Sequence, residues 1–126
     1  MKTIRDLIVR RFTKVLENNP DQSVYDLFEW KNADVMIKDH AKNKVVCDMN
    51  NLEFPVSYSQ NACDIIAAHY FRKAGVSNEA GHERSMREVA HRMVDFWTSA
   101  MLDEGMIDDE EQKQILYDEL VYLLLS

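Results

Sequence analysis

Residues 51–75 read NLEFPVSYSQNACDIIAAHYFRKAG, and this stretch decides how the rest of the chain is interpreted. Pro55 cannot lie inside a helix, because it lacks a backbone N–H and clashes with the preceding turn. Ser57 and Gln60 follow at the spacing of a capping box, in which each side chain binds the backbone N–H of the other residue. The glycine after Ala74 suits the left-handed conformation that commonly ends helices. The stretch therefore predicts one capped, largely buried helix from Ser57 to Ala74.

The chain before this helix predicts three shorter elements. Over residues 1–20, apolar side chains recur at intervals of three and four, which indicates a leading amphipathic helix. The segment from Ser23 to Trp30 indicates a short second helix or turn. Two β-prone runs flank a polar turn and predict a β-hairpin over residues 33–48.

The chain after the central helix predicts two more helices. Apolar residues between positions 86 and 101 recur with a period of 3.6, and Gly105 ends this helix. Asp108 and Glu111 offer a cap for the last helix, whose acidic first turn suits the positive end of the helix dipole. Together with the central helix, these two helices predict a three-helix core over residues 57–126.

The size and composition of the chain are those of one small globular domain. The chain has 126 residues, of which 46% are hydrophobic and 29% are charged. Such a chain can bury enough apolar surface to fold without a disulfide or a metal. We therefore expect a single, mainly α domain over residues 1–126, with about four to five helices and one short β-hairpin.

The charge and the cysteines limit the partners and the compartment. The net charge of −7 argues against nucleic acid or an anionic membrane as a partner, because both need a basic face. No apolar run approaches the roughly 20 residues that span a bilayer, and charged residues interrupt the segment from Ile4 to Leu16, so no signal peptide is expected. Cys47 and Cys63 form no C-x-x-C motif, which is typical of a reduced protein. These observations predict a cytoplasmic protein.

No sequence motif in the chain indicates an active site. The P-loop, the dinucleotide-binding loop and the nucleophile elbow are missing. The pair His82-Glu83 does not continue as H-E-x-x-H, since position 86 is methionine. Cys47 and Cys63 are expected to be packing thiols, because little in their local sequence would lower the thiol pKa. We therefore predict no catalytic, cofactor-binding or metal-binding residue in this chain.

The last helix ends in LVYLLL, residues 120–125, which is apolar on nearly every face. A helix of this kind is normally buried. Either the segment packs back into the domain, or a partner or further chain covers it. The cost of exposing contiguous apolar surface favours the second alternative. It makes Leu120, Leu123 and Leu124 candidate interface residues.

A second candidate interface lies at the two ends of the central helix. Its residues are Tyr58, Ser59, Gln60, Tyr70, Phe71 and Arg72. Ser59 and Gln60 are interpreted either as capping residues or as interface residues. Arg72 is interpreted either as a cation at the negative end of the helix dipole or as a docking contact that binds a carboxylate.

The central stretch also carries an ordered set of residues, F-P-x-x-[WY]-S-Q-x-A-x-x-I-x-A-x-x-Y-F-R-x-x-G. Its members are Phe54, Pro55, Tyr58, Ser59, Gln60, Ala62, Ile66, Ala67, Tyr70, Phe71, Arg72 and Gly75. This order resembles the N-terminal region of the adenosylcobalamin-dependent (class II) ribonucleotide reductases. The segment YDLFEWKNADVMIKD, residues 25–39, is similar to the opening of that family, and YDELVYLLLS, residues 117–126, is similar to the segment just before its catalytic barrel. The resemblance covers nearly the whole chain after about Ser23. It departs at Tyr58, where the family usually has tryptophan, and at Ser126, where the chain stops.

The resemblance implies a role in deoxyribonucleotide synthesis. Enzymes of this family convert ribonucleotides to deoxyribonucleotides with a thiyl radical that adenosylcobalamin generates. The radical cysteine, the reducing cysteine pair, the substrate phosphate site and the cobalamin site lie on an α/β barrel that follows the matched region. None of those motifs occurs in this chain. The resemblance therefore implies adenosylcobalamin for the parent enzyme and the catalytic barrel as a partner, with no cofactor bound by this chain.

Two hypotheses of different classes follow. In the first, the chain is the N-terminal helical segment, or a small split subunit, of an adenosylcobalamin-dependent ribonucleoside-diphosphate reductase, and it supports the catalytic barrel. In the second, it is a stand-alone protein–protein interaction module without catalysis, or a homodimer that buries the face of Leu120, Leu123 and Leu124. An independent enzyme is the least favoured alternative, because no nucleophile-and-base pair is visible.

Overall fold

The computed structural model describes residues 8–19, 21–39, 41, 44–72 and 82–126, with only the backbone described at Asp39, Lys44 and Val46. Contacts divide the chain into two compact units. We call residues 29–89 the hairpin unit, and residues 1–28 together with 90–126 the terminal unit.

The hairpin unit is built on two antiparallel strands, β1 (Trp30–Asp39) and β2 (Lys44–Pro55). The ladder runs from the Trp30–Pro55 pair to the Asp39–Lys44 pair. Side chains alternate between the two faces of a strand, and on one face Val35, Leu52 and Phe54 are completely buried. The hairpin is therefore longer than the predicted span of residues 33–48.

A bulge interrupts the ladder opposite Asp34. At this point β2 has two residues, Asn50 and Asn51, against one residue of β1. Asn51 adopts a left-handed conformation with a φ of 57°. The Asp34 carboxylate accepts a hydrogen bond from the Asn51 N–H at 2.7 Å, and the Asn32 amide donates to the Asn51 side chain at 2.6 Å. Side-chain hydrogen bonds therefore hold the backbone that the ladder leaves unpaired.

Helix α1 (Gln60–His69) contacts both strands. Its N-cap is Ser59, whose hydroxyl accepts a hydrogen bond from the Ala62 N–H at 3.1 Å. The predicted cap at Ser57 is wrong, because the amide of Gln60 donates instead to the Asp34 carbonyl at 3.0 Å. The helix also ends earlier than predicted, and the glycine expected to end it lies outside the described residues.

The other two α-helices are α2 (Met86–Asp103) and α3 (Glu110–Leu125). Gly105 follows α2 with a φ of 75°, a left-handed conformation that glycine adopts without steric cost. Its N–H donates to the Leu102 carbonyl at 3.1 Å, and the next N–H donates to the Met101 carbonyl at 2.9 Å. This pattern is a Schellman motif. The prediction that Gly105 ends this helix is confirmed.

The shorter helices and the cap of α3 refine the predicted boundaries. Two 3-10 helices are present in the terminal unit, Lys14–Asn18 and Val24–Leu27. The N-cap of α3 is Asp109, whose carboxylate accepts a hydrogen bond from the Gln112 N–H at 2.9 Å. The predicted cap, Asp108, lies one residue too early.

The prediction of a mainly α fold with about four to five helices is wrong. The described residues form three α-helices and a two-stranded antiparallel sheet, which is a small mixed α/β structure. Of the leading helix predicted over residues 1–20, positions 1–7 and 20 lie outside the described residues. Between residues 8 and 19 the structure has only the 3-10 helix Lys14–Asn18. The single domain expected over residues 1–126 stays a prediction.

The left-handed conformation of Asn51 gives a direct test of the bulge. Asn51→Val should reduce the free energy of unfolding by about 1–2 kcal/mol, because a β-branched residue is strained at this φ. Asn51→Gly should change it by less than about 0.5 kcal/mol, since glycine tolerates this backbone and the lost side-chain bond is exposed. Urea unfolding followed by circular dichroism measures both values. Equal losses in the two variants would contradict the assignment.

Candidate interaction surfaces

A buried carboxylate on α3 organises the first part of the terminal unit. Glu119 is 9% exposed. Its two oxygens accept hydrogen bonds from the backbone N–H groups of Arg11, Phe12 and Thr13, and also from the Thr13 hydroxyl at 2.9 Å. Three consecutive N–H groups that point at one side chain cannot also form a helical ladder. This contact explains why residues 11–13 are not helical despite their helical spacing.

The neighbouring residue on α3 adds an ion pair. The Asp118 carboxylate accepts a hydrogen bond from the Arg10 guanidinium at 2.8 Å, and both side chains are largely buried. The same Arg10 nitrogen donates to the Thr13 hydroxyl at 3.0 Å, and Gln114 donates to the other Asp118 oxygen at 2.8 Å. Asp118 and Glu119 thus hold the segment of residues 10–13 along α3.

This arrangement leaves an apolar groove of about 250 Å³ beside α3, which we call the Leu123 groove. Its lining residues are Ile8, Val9, Arg11, Phe12, Met101, Ile115, Leu116, Glu119, Leu120 and Leu123. Leu123 is 54% exposed at its edge. Tyr122, the residue before Leu123, stacks on Phe12 with ring centres 5.3 Å apart.

The described residues therefore cover the apolar end of α3 only in part. Val121 and Leu125 are completely buried, whereas Leu120 and Leu124 are half-buried. Of the three candidate interface residues here, Leu120 and Leu123 line the groove together, and Leu124 does not.

A chain of hydrogen bonds crosses the terminal unit at Tyr117. Its hydroxyl lies 2.5 Å from the Tyr25 hydroxyl and 2.8 Å from Nδ1 of His91. Burial, together with the hydrogen bond to Tyr25, holds the pKa of the Tyr117 hydroxyl well above its ordinary value of 10.0. Tyr117 therefore acts as a neutral hydrogen-bonding group, and no local sequence pattern indicates this role.

In the hairpin unit, the three candidate residues at the start of α1 have structural contacts. The Tyr58 ring lies 6.4 Å from the Phe54 ring, and its carbonyl accepts a hydrogen bond from the Lys31 ammonium group. Ser59 caps α1, and Gln60 donates to the Asp34 carbonyl. The capping interpretation is confirmed for Ser59, while an interface role for these residues stays a prediction.

The three candidate residues at the end of α1 differ in exposure. Phe71 is 3% exposed and packs on Phe54 with ring centres 5.5 Å apart, so it is a core residue. Tyr70 is 53% exposed, and Arg72 is also exposed. The backbone of Arg72 is fixed by Glu83, whose carboxylate accepts the Arg72 N–H at 2.7 Å. The structure thus presents Tyr70 and Arg72 to the outside beside a buried Phe71.

The hairpin unit contains a polar cluster that sequence reasoning missed. The Glu53 carboxylate accepts hydrogen bonds from the Ser85 hydroxyl at 2.6 Å and from the Arg87 guanidinium at 2.8 Å. The Arg87 guanidinium lies 4.3 Å from the ring centre of Trp30, a cation–π contact. Glu53 and Ser85 also form a parallel bridge. These residues lie far apart in sequence, so no local pattern pointed to the cluster.

Both cysteines are buried, and neither forms a disulfide bond. Burial raises the pKa of the Cys63 thiol, and the nearby Lys31 ammonium acts in the opposite sense. A thiol with a raised pKa is a poor nucleophile at neutral pH. These observations agree with the interpretation of both residues as packing thiols.

The next features are the possible metal ligands, the helix lengths and the cavities of the described residues. Residues 8–72 and 82–126, where described, contain no group of three or more His, Cys, Asp or Glu side chains placed to hold a metal ion. No helix in the described part of the chain is both long and apolar enough to cross a bilayer. Four cavities lined by described residues measure about 250, 250, 350 and 490 Å³. Such volumes suit small ligands.

The described residues form a small mixed α/β structure with an apolar groove beside α3. The chain belongs to the class II vitamin B12-dependent ribonucleotide reductase family, whose model matches residues 32–126. The matched part is the N-terminal region of the family, which confirms the resemblance seen in residues 54–75.

Three relatives, each named a vitamin B12-dependent ribonucleotide reductase, show how far the similarity extends. The protein from Streptomyces avermitilis is 29% identical over 110 residues, which cover 87% of this chain and 11% of the relative. The protein from Rhodopirellula baltica is 29% identical over 96 residues, or 76% of this chain and 9% of the relative. The protein from Agrobacterium fabrum is 42% identical over 69 residues, or 55% of this chain and 5% of the relative. The chain thus spans about a tenth or less of the length of these relatives.

The Glu119 contact predicts a large effect from a small substitution. Glu119→Gln should lower the free energy of unfolding by about 2–4 kcal/mol, because an amide NH₂ would face backbone N–H donors in a buried site. Glu111→Gln, an exposed change in the first turn of the same helix, should cost less than about 1 kcal/mol. Urea unfolding measures both. Similar small losses in the two variants would contradict the role assigned to Glu119.

The raised pKa of Tyr117 predicts how stability depends on pH. Near pH 10.0 the unfolded chain ionises this tyrosine while the folded chain keeps it neutral. The stability that Tyr117 contributes is therefore complete below that pH and decreases as the pH rises above it. In Tyr117→Phe, the free energy of unfolding should fall less steeply between about pH 9 and about pH 11. The same slope in the wild-type protein and in Tyr117→Phe would refute the assignment.

Proposed function

We propose that this chain acts as the N-terminal region of a class II ribonucleotide reductase and supports the catalytic portion of that enzyme by direct contact. The family match over residues 32–126 supports the first part of the proposal. The matched regions cover 11%, 9% and 5% of the three relatives, so most of such an enzyme lies outside the segment to which this chain corresponds. The chemistry of ribonucleotide reduction, with cobalamin, is assigned to that other portion.

The observation that carries the contact is the open Leu123 groove. A leucine exposed to 54% at the edge of an apolar groove is costly in water, and it gains about 25 cal/mol for each Å² that a partner covers. Leu120 and Phe12 extend the same apolar surface, and Phe12 is itself 51% exposed. We assign this groove to an apolar segment of the catalytic portion, and Leu124 to its margin.

A second contact is proposed at the end of α1. Tyr70 supplies an exposed aromatic ring, and the Arg72 guanidinium has no ion-pair partner among the described residues. Aromatic residues and arginine are the types most enriched at the energetic centres of protein interfaces. A carboxylate of the catalytic portion could bind Arg72 in the bidentate geometry that arginine favours. Tyr58, Ser59 and Gln60 then lie at the start of the same helix as supporting residues, and Phe71 contributes from the core.

The role of the chain is structural in this proposal, and the chain itself carries no step of the reaction. Ser59, Glu119 and Asp118 already serve the fold, and both thiols are buried. The whole enzyme would act in the cytoplasm on ribonucleotides, with the diphosphate as substrate, and this chain would be its helical segment or a split subunit.

The proposal is tested by measuring binding to the catalytic portion. A class II reductase from the same source is produced without the region equivalent to residues 32–126, and its affinity for the chain is measured by titration calorimetry. The chain should bind in a 1:1 complex. Leu123→Asp should weaken binding at least about tenfold, because it places a charge in an apolar contact.

Two variants serve as controls for that measurement. Met36→Asp changes a side chain of the hairpin unit that is 53% exposed, as Leu123 is in the terminal unit, and it should leave the affinity within about threefold. Arg72→Ala tests the second contact and should weaken binding by a similar factor of about ten. If wild-type chain shows no binding, the proposed function is wrong. If Met36→Asp weakens binding as much as Leu123→Asp, the groove is not the contact.

A further inference from the structure

Helix α2 has a second apolar face that the described residues of the terminal unit leave exposed. Ala90, Val94 and Thr98 lie on one face and are completely buried. A different set follows the helical spacing i, i+3, i+4 and i+7 and forms the face that we call the aromatic stripe. It consists of Met93, Phe96, Trp97 and Ala100.

The aromatic stripe is exposed to an unusual degree. Phe96 is 71% exposed and Trp97 is 41% exposed, while Ala100 is exposed and Met93 is half-buried. Two large aromatic side chains together on a helix surface indicate a binding face. The stripe does not include any residue that lines the Leu123 groove.

Charges of opposite sign stand at the two ends of the stripe. Arg92 precedes it, and Asp103 follows it eleven positions after Arg92, a separation of about three turns, or about 16 Å. At 100° per residue, both side chains therefore lie on the same flank of the helix. Asp103 has no ion-pair partner among the described residues, and the last turn of α2 has no basic residue. An acid at this negative helix end is unfavourable unless an external cation approaches it.

These features make the stripe complementary to itself. Two α2 helices can pair antiparallel about a perpendicular twofold axis near Trp97 and Thr98. Side chains on one flank of the first helix then lie beside side chains on the equivalent flank of the second helix. Arg92 of each copy then lies opposite Asp103 of the other, so the pair forms twice. Phe96 of each copy faces the small side chains of Ser99 and Ala100, which provide the space into which a large ring packs. Antiparallel helix dipoles add to the attraction.

We propose that the aromatic stripe is a self-association surface, on which a second copy of this chain docks through antiparallel α2 helices. The reciprocal Arg92–Asp103 contact favours a copy of the same chain, because Asp103 of each copy then gains a cation beside the negative end of its helix. The aromatic stripe shares no residue with the lining of the Leu123 groove.

The test is the oligomeric state of the full 126-residue chain, measured by sedimentation equilibrium across a wide range of protein concentration. The wild-type chain should reach twice its mass of 14.8 kDa. Phe96→Asp should abolish the dimer, while Val15→Asp, a change at a residue that is 47% exposed elsewhere in the terminal unit, should leave it intact. Circular dichroism confirms that each variant is folded.

A charge exchange tests the orientation of the two helices. Arg92→Asp and Asp103→Arg should each raise the dimer dissociation constant about tenfold, because two attractive pairs become repulsive. The double variant with both changes should return to within about threefold of wild type, because the pair is restored in reverse.

Three results would overturn the proposal. The first is a chain that stays monomeric at every concentration, which leaves the stripe to another partner. The second is a dimer that survives Phe96→Asp but is lost in Leu123→Asp, which places self-association at the groove. The third is a double charge variant that is as weak as the single variants, which contradicts the antiparallel pairing.

Discussion

The terminal unit depends on one buried carboxylate. Glu119 accepts hydrogen bonds from three consecutive backbone N–H groups and from the Thr13 hydroxyl. A buried carboxylate is stable only when its oxygens are satisfied, and these donors satisfy both of them. The same bonds fix residues 11–13 in a non-helical path along α3, which forms one wall of the Leu123 groove. A single polar contact thus decides the backbone course of the segment and the shape of the surface proposed to bind the catalytic portion.

Periodicity predicted the parts of the fold that local sequence controls. The extent of α2, its end at Gly105 and the acidic first turn of α3 were all predicted correctly to within a residue or two. The prediction of the leading helix is wrong in the described residues. Glu119, more than a hundred positions away, accepts hydrogen bonds from N–H groups that a helix would use. The predicted N-cap of α1 is wrong by two residues. Ser57 and Ser59 are both suitable cap residues, and only the contact of Gln60 with Asp34 decides between them.

The candidate surfaces were predictable to a similar extent. The apolar run at residues 120–125 pointed to Leu123, which is exposed, but it gave no reason to separate Leu123 from the completely buried Val121 and Leu125. The exposed stripe on α2 could not be found in advance, since two apolar faces at helical spacing run along this helix and the sequence does not say which of them is covered. The position of Glu119 in an apolar helix was a usable sequence signal, because a carboxylate there usually has a buried partner.

The proposed contact with the catalytic portion depends on the apolar groove beside α3. Hydrogen–deuterium exchange of the chain, alone and with the catalytic portion of a class II reductase from the same source, tests this contact most directly. We expect slower exchange on complex formation in residues 8–13 and 115–125, with little change in β1 between Trp30 and Asp39. Unchanged exchange along residues 115–125, with the catalytic portion in excess, would contradict it.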